Sequence, residues 1–249
     1  MNTTPPLALV TGANRGLGLA WCKQLGLMGY TVLLTSRSLE KAQEAKDEIL
    51  SSEPGLQIIP KVLDVSKEET IEALAAEVKE EFGYLSLLVN NAGINSKSSN
   101  NELTFLKNFR LGYLDPEPIL EMIHINSIAP IMVAKHFLAL LKRGKDPKIV
   151  NISSWLGSIS TKHSGGNYSY TTSKAALNMM SRSLAFDAIK EGVVTIVVNP
   201  GWVQTRMGGF SASLTPEESI QRLIDNVLVK VTKEDAGKFF DWDGSEHVW

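Results

Sequence analysis

A chain of 249 residues, 43% apolar and 21% charged, can bury one sizeable core, and a single α/β domain spanning 1–249 is the expectation. A net charge of -2 and a pI near 6.1 give no electrostatic reason to expect nucleic acid or an anionic membrane as partner, which favours a small molecule. Cys22 is the only cysteine, so an internal disulfide and a thiolate metal cluster are excluded. With no basic N-terminal segment and no uninterrupted apolar run of about 18 residues, the expected location is cytoplasmic.

In chain order, short β-branched or apolar runs stand at 7–10, 31–35, 57–63, 85–90, 148–153, 193–199 and 238–242. They alternate with segments long enough for helices at 16–28, 39–51, 67–82, 118–141, 168–190 and 216–229. Such alternation predicts a Rossmann-like, doubly wound parallel sheet of about seven strands with helices on both faces. Ser66 with Glu69, and Thr215 with Glu218, have the spacing of reciprocal N-terminal caps. Pro130, inside the 118–141 segment, predicts a kink or break near Ala129. Residues 94–117 read as a long polar loop at the rim of a site, opening with Ser96-Lys97-Ser98-Ser99-Asn100-Asn101.

The first strand runs into Thr11-Gly12-Ala13-Asn14-Arg15-Gly16-Leu17-Gly18 and then a helix, the context of a dinucleotide site. Gly12 suits the tight turn, Gly16 the approach of backbone amides to a pyrophosphate, and Gly18 the packing of helix on strand. At the end of the second strand, where an acid would bond the ribose 2′-hydroxyl of NAD, stand Ser36 and Arg37 instead. With Arg15 in the turn, two guanidiniums favour a 2′-phosphate, hence NADPH/NADP as the cofactor.

Tyr170 and Lys174 are four apart on one helix face, which also carries Leu177, Leu184 and Ala188. An inward lysine needs a reason. Carbonyl reduction supplies one: hydride delivered to carbon leaves an oxygen that must receive a proton, and a phenol is a weak acid with a pKa of about 10. An adjacent ammonium is expected to bring Tyr170 toward working pH.

The chain resembles the short-chain dehydrogenase/reductase family over essentially its whole length. The glycine turn is followed in order by Asn90-Asn91-Ala92-Gly93, Asn126, Asn151-Ile152-Ser153-Ser154, Tyr170-Thr171-Thr172-Ser173-Lys174 and Pro200-Gly201-Trp202-Val203-Gln204-Thr205. The stretches 168–180 and 201–205, and the ending Phe240-Asp241-Trp242-Asp243-Gly244, are similar to the C-factor and Sniffer-type carbonyl reductase branch. The resemblance implies that Thr11, Asn14 and Leu17 share in holding the cofactor, that Asp64 with Val65 meets the adenine, and that Asn91, Ala92 and Gly93 border the adenosine ribose. It further implies that Pro200, Gly201, Val203 and Thr205 lie at the nicotinamide, that Lys174 binds the nicotinamide ribose, and that Asn126 holds a water relaying protons to Lys174. Ser154 is the implied partner of the substrate oxygen, with Ser153 competing for that role.

The four histidines, His124, His136, His163 and His247, show no ligand spacing, so no metal is expected. His163, Trp155 and Trp202 are candidates to wall the pocket, and Gly208-Gly209 reads as the joint of a lid over the nicotinamide. The function expected is NADPH-dependent reduction of an aldehyde or ketone, in a homo-dimer or tetramer paired through the 118–141 and 168–190 helices as the resemblance implies. The alternatives are a dinucleotide-binding signalling or regulatory protein of C-factor type, and an enzyme running chiefly toward the ketone.

Overall fold

The computed structural model describes residues 5–96 and 101–249. Its seven strands are β1 (Leu7–Val10), β2 (Thr31–Ser36), β3 (Ile58–Val62), β4 (Leu87–Asn90), β5 (Lys148–Ile152), β6 (Val194–Asn199) and β7 (Phe239–Asp241), all parallel in the order β3-β2-β1-β4-β5-β6-β7. Both faces of the sheet are covered, so the central strands are continuous apolar runs: β1, β4 and β6 are buried at every position. On one face α1 (Gly16–Leu27) and α2 (Leu39–Ser52) pack with the later α8 (Pro216–Leu223) around Trp21, Leu25, Ile49 and Leu223. On the other, α3 (Glu68–Glu81), α6 (Ala129–Leu141) and α7 (Tyr168–Ala188) enclose Ile71, Val78, Phe137 and Leu140. The order reverses between β1 and β4, opening a crevice at the C-terminal strand ends.

Local expectations fare unevenly. Thr215 and Glu218 form a reciprocal cap, Glu218 N donating to Thr215 Oγ1 at 3.1 Å and Thr215 N to Glu218 Oε2 at 2.9 Å, with Pro216 at the first helical position. Ser66 does not cap. Its hydroxyl donates to Asp64 Oδ1 at 2.7 Å, and α3 begins two residues later behind Lys67 with no side-chain cap, because the preceding carboxylate captures the serine.

The region expected as loop, 94–117, contains α4 (Glu102–Phe109) and a short 3-10 turn, and its last two residues already begin α5 (Pro116–Ile123), which runs on into the expected helix. Asn101 caps α4, and Phe105 stacks on Phe109 one turn later at 4.7 Å, an i,i+4 pair that gives this polar helix an apolar edge. Residues 97–100 of the polar run lie outside the described residues.

The break expected near Ala129 does not form, and the helix runs on through Pro130. Between α5 and α6 the helix widens into a π turn, His124–Ile128. An α-helix would bring the amide of residue 130 to the Asn126 carbonyl, and proline has no such amide. Continuous from Pro116 to Leu141, the helical segment is long and apolar enough to cross a membrane by length and composition, with mean hydropathy 1.3. In the fold it is a core element, with Val133, Phe137 and Leu141 wholly buried.

Candidate active site

The crevice is lined by loops that leave the ends of β1, β4, β5 and β6. The β1 and β4 loops are latched together: Thr11 Oγ1 accepts from Asn91 N and Ala92 N, both at 3.0 Å, and Asn91 Nδ2 donates to Thr11 O and Gly12 O at 2.9 and 3.1 Å. A Cβ on Gly12 would stand 2.9 Å from Ala92 Cα, and Gly12 adopts φ +62, so shape and conformation both demand glycine. Gly18 brings α1 onto the strand, since a Cβ there would be 2.7 Å from Ala13 Cα and Gly12 O. Asn91 therefore spends its amide on the glycine turn.

Helix α1 begins behind Arg15 with no side-chain cap and no acid in its first turn, leaving amide groups directed at the crevice. Burial and the charges of Arg206 and Arg37 draw the Arg15 pKa down, so three guanidiniums stand near one another. Ser36 is buried while Arg37 is exposed at the end of β2. Burial raises the Asp64 carboxyl pKa, but the two Ser66 bonds and Arg37 outweigh it and hold the group below the usual range. Both Ser66 bonds fall on Oδ1, so Asp64 acts as a turn cap whatever else it binds. A dinucleotide fits this cradle of uncapped amides, glycine turn and clustered cations.

Tyr170, Ser154 and Lys174 meet below the crevice and are all buried. Ser154 lies close enough to the Tyr170 phenol to lower its pKa. Ser154 also accepts from Leu156 N at 3.2 Å, capping a short 3-10 turn, Trp155–Gly157. Ser153 points the other way, its hydroxyl donating to Asn178 Oδ1 at 2.6 Å, so Ser154 is the serine beside Tyr170. Lys174 donates from Nζ to Ile152 O at 2.8 Å, with Nζ 5.8 Å from the Tyr170 ring centre.

The electrostatics differ from expectation. Burial pushes the Tyr170 phenol up to about 12, against the smaller lowering effect of Ser154. Burial likewise lowers Lys174 to about 8. Lys174 does not bring Tyr170 down in this pocket, because dehydration disfavours both charged forms.

Asn126 lies in the π turn and is fully buried, with Oδ1 accepting from Ile94 N at 2.8 Å and Nδ2 donating to Ile94 O at 2.9 Å and Ser173 Oγ at 3.0 Å. Its side chain is committed to protein partners, and its carbonyl is the group that Pro130 deprives of a donor. Val203 is buried, and Thr205 lies over the glycine turn, its Cγ2 3.4 Å from a Cβ built on Gly16. Gly201 takes φ +81 against Trp242.

The expected lid joint is tied down. Gly208 N donates to Thr205 Oγ1 at 3.0 Å, Trp202 Nε1 donates to Gly208 O at 2.7 Å, and Gly208 lies so close to the Val203 carbonyl that a Cβ has no room. His163 and Trp155 share a recess of about 50 Å³ with Leu156, Ser158, Thr161, Lys162 and Ser164, on the segment between Ser154 and Tyr170.

Two residues had escaped the sequence reading. Arg206 joins the cation cluster, and Gly157 packs so tightly on α7 that a Cβ would be 2.8 Å from Lys174 Cβ and 2.9 Å from its carbonyl carbon. Their spacing carries no signal of its own, since each acts through contacts made across the fold.

The chain belongs to the short chain dehydrogenase family, whose model matches residues 6–215. It is 35% identical to the short-chain dehydrogenase anuI of Penicillium roqueforti over 250 residues, covering 96% of this chain and 94% of that protein. The fold matches the NADPH-bound carbonyl reductase from chicken fatty liver with a TM-score of 0.86 and 31% identity, over 99% of this chain and 100% of that one. It matches carbonyl reductase Sniffer of Drosophila melanogaster with a TM-score of 0.85 and 30% identity, with the same coverage.

Gly157→Ala tests the packing that sets Lys174. Overpacking of this kind should destabilise the protein by about 1–3 kcal/mol, read by urea unfolding, and lower turnover as Lys174 is displaced.

Proposed function

We propose that this protein is an NADPH-dependent carbonyl reductase that converts an aldehyde or ketone to an alcohol, with Tyr170 as proton donor. The observation that carries this reading is the buried Ser154-Tyr170-Lys174 set beneath a dinucleotide cradle. A bound nicotinamide supplies hydride to the carbonyl carbon. Ser154 holds the carbonyl oxygen beside the Tyr170 hydroxyl, which gives up its proton as charge develops on that oxygen. Lys174 sets an ammonium near the phenolate that results, and burial strengthens that attraction relative to water. The Asn126 carbonyl, denied its helical donor by Pro130, holds a water that returns a proton toward Lys174. The intact set favours turnover over a purely regulatory dinucleotide-binding role. Exposed Leu120, Met179 and Phe186 on α5 and α7 support pairing of two copies through those helices.

Tyr170→Phe removes the transferable proton and little packing. Turnover of a model diketone, followed by NADPH absorbance, should fall roughly 10²- to 10⁴-fold with cofactor affinity nearly unchanged. A variant retaining more than a third of wild-type turnover would exclude Tyr170 as the acid.

The Lys174 pKa of about 8 sets a pH dependence with opposite signs for activity and stability. Reduction weakens as pH rises through about 8, because the neutral amine no longer supports the phenolate. Stability moves the other way: between about 8 and 10.5 the unfolded chain holds a proton that the folded one has released, so unfolding becomes harder as pH rises. At about 1.36 kcal/mol per unit, the full change is on the order of 3 kcal/mol. Urea unfolding of wild type and Lys174→Met at pH 7 and pH 10 isolates it, since only the wild type should gain this increment.

For cofactor choice, Arg37→Ala should weaken NADPH binding roughly ten- to a hundredfold with little effect on NADH. Ser36→Asp should reverse the preference by setting a carboxylate against the 2′-phosphate. Dissociation constants of both cofactors decide it, and tighter NADH than NADPH binding by the wild type would overturn the assignment.

A further inference from the structure

We propose that Arg206 reaches over the glycine turn to the pyrophosphate of a bound dinucleotide, so that the 202–214 segment is clamped by the cofactor's own charge. This rests on the dinucleotide reading above.

The root of Arg206 is fixed in place. Thr205 packs its methyl against Gly16, and is itself held by Gly208 N on Oγ1 at 3.0 Å and by Gly209 N on its carbonyl at 2.8 Å. The neighbouring residue therefore leaves the segment at the edge of the same turn. Two further contacts tie the segment to itself, Gln204 N donating to Leu214 O at 2.8 Å and Leu214 N to Trp202 O at 3.1 Å. Arg206 is exposed, free to swing from this anchored base.

The charges around it are unbalanced. Arg15 lies near both Arg206 and Arg37, and among the described residues none of the three forms a salt bridge. Asp64 faces Arg37, at the other end of the row. At Arg15 and Arg206 there are thus two like charges beside the uncapped amides of α1, which folding alone does not call for. An anion between them turns mutual repulsion into two charge-assisted contacts.

Position separates the roles of the three arginines. Arg37 stands at the end of β2, on the adenosine ribose side, where a 2′-phosphate would lie. Thr205 stands above Gly16, at the start of α1 where the pyrophosphate would lie, and Arg206 follows it with its charge felt by Arg15 in the same turn. Because the pyrophosphate is common to NADH and NADPH, Arg206 raises affinity for both and discriminates between neither.

The test compares dissociation constants of NADH and NADPH, by fluorescence titration, for wild type, Arg206→Ala, Arg206→Lys and Arg37→Ala, together with amide hydrogen exchange over 202–214. Arg206→Ala should weaken both cofactors by a similar factor, about tenfold, and Arg206→Lys by less. NADP should slow exchange across 202–214 in the wild type, and that protection should be lost in Arg206→Ala. The thermal midpoint of the ligand-free Arg206→Ala protein should match wild type, as expected for an exposed side chain. Affinities within twofold of wild type for both cofactors, a loss confined to NADPH, or unchanged protection of 202–214 would each overturn the inference. A wild type that binds neither dinucleotide would instead overturn the reading beneath it.

Discussion

The rest of this structure depends on how closely the backbone at the end of β1 approaches that at the end of β4. The doubly wound order makes these strands neighbours and sends their helices to opposite faces, so the loops diverge and leave a crevice. Thr11 and Asn91 close it at the base with four hydrogen bonds between backbone and side chain. Each is worth only about 1 kcal/mol net, but leaving a buried partner unmade costs about 1–3 kcal/mol, so the latch acts mainly by excluding other arrangements. A buried polar chain continues from it across the sheet. Asn90 donates to Asn151 Oδ1 at 2.8 Å and to Pro130 O at 3.1 Å, and Asn151 donates to Ser181 Oγ at 2.8 Å. Through these contacts β4, β5, α6 and α7 are held in register, which is what sets Tyr170 opposite Ser154.

Burial then governs the chemistry. A tyrosine and a lysine drawn from water both resist ionisation, and here the phenol stands near 12 and the ammonium near 8. A phenolate and an ammonium offset each other's dehydration only when both are present, so either group alone resists ionisation. The ligand-free pocket keeps Tyr170 protonated at neutral pH. In the proposed reduction that is the donor form, and the lowering expected from Lys174 alone is not required to reach it. The Lys174 contact with the Ile152 carbonyl is what makes an inward ammonium tolerable in the meantime.

Much of this was legible in the chain. Period and composition give the seven strands and the main helices, whereas the break expected at Pro130 is replaced by a π turn just before it, because the helix can widen and stay continuous. The Tyr170-Lys174 pair and the glycine turn are readable for the same reason: three or four residues of spacing fix which side chains share a face or a turn. Failures arise where contacts are distant in sequence. Ser66 is held by Asp64 and does not cap α3. Composition marks Gly208 as flexible, and the packing adds a second reason for glycine there, since the Val203 carbonyl leaves no room for a Cβ. Ser153 and Ser154 could not be separated by spacing; Asn178, on α7, separates them.

Charge shows the same division between local and global. A net charge of -2 describes the molecule as a whole and argues against a polyanionic partner. It conceals a row of three guanidiniums contributed by the α1 turn, the end of β2 and the segment after β6, separated by up to 191 positions in the chain from Arg15 to Arg206. Only the winding of the sheet brings them together. Being largely exposed, these groups act through a field that salt screens over a Debye length of about 8 Å at physiological ionic strength, whereas Tyr170 and Lys174 lie buried where screening is weak. Under the proposed function, recognition of the cofactor's phosphates and transfer of the proton therefore draw on different electrostatics within one crevice: the first is exchangeable with solvent ions, and the second is insulated from them.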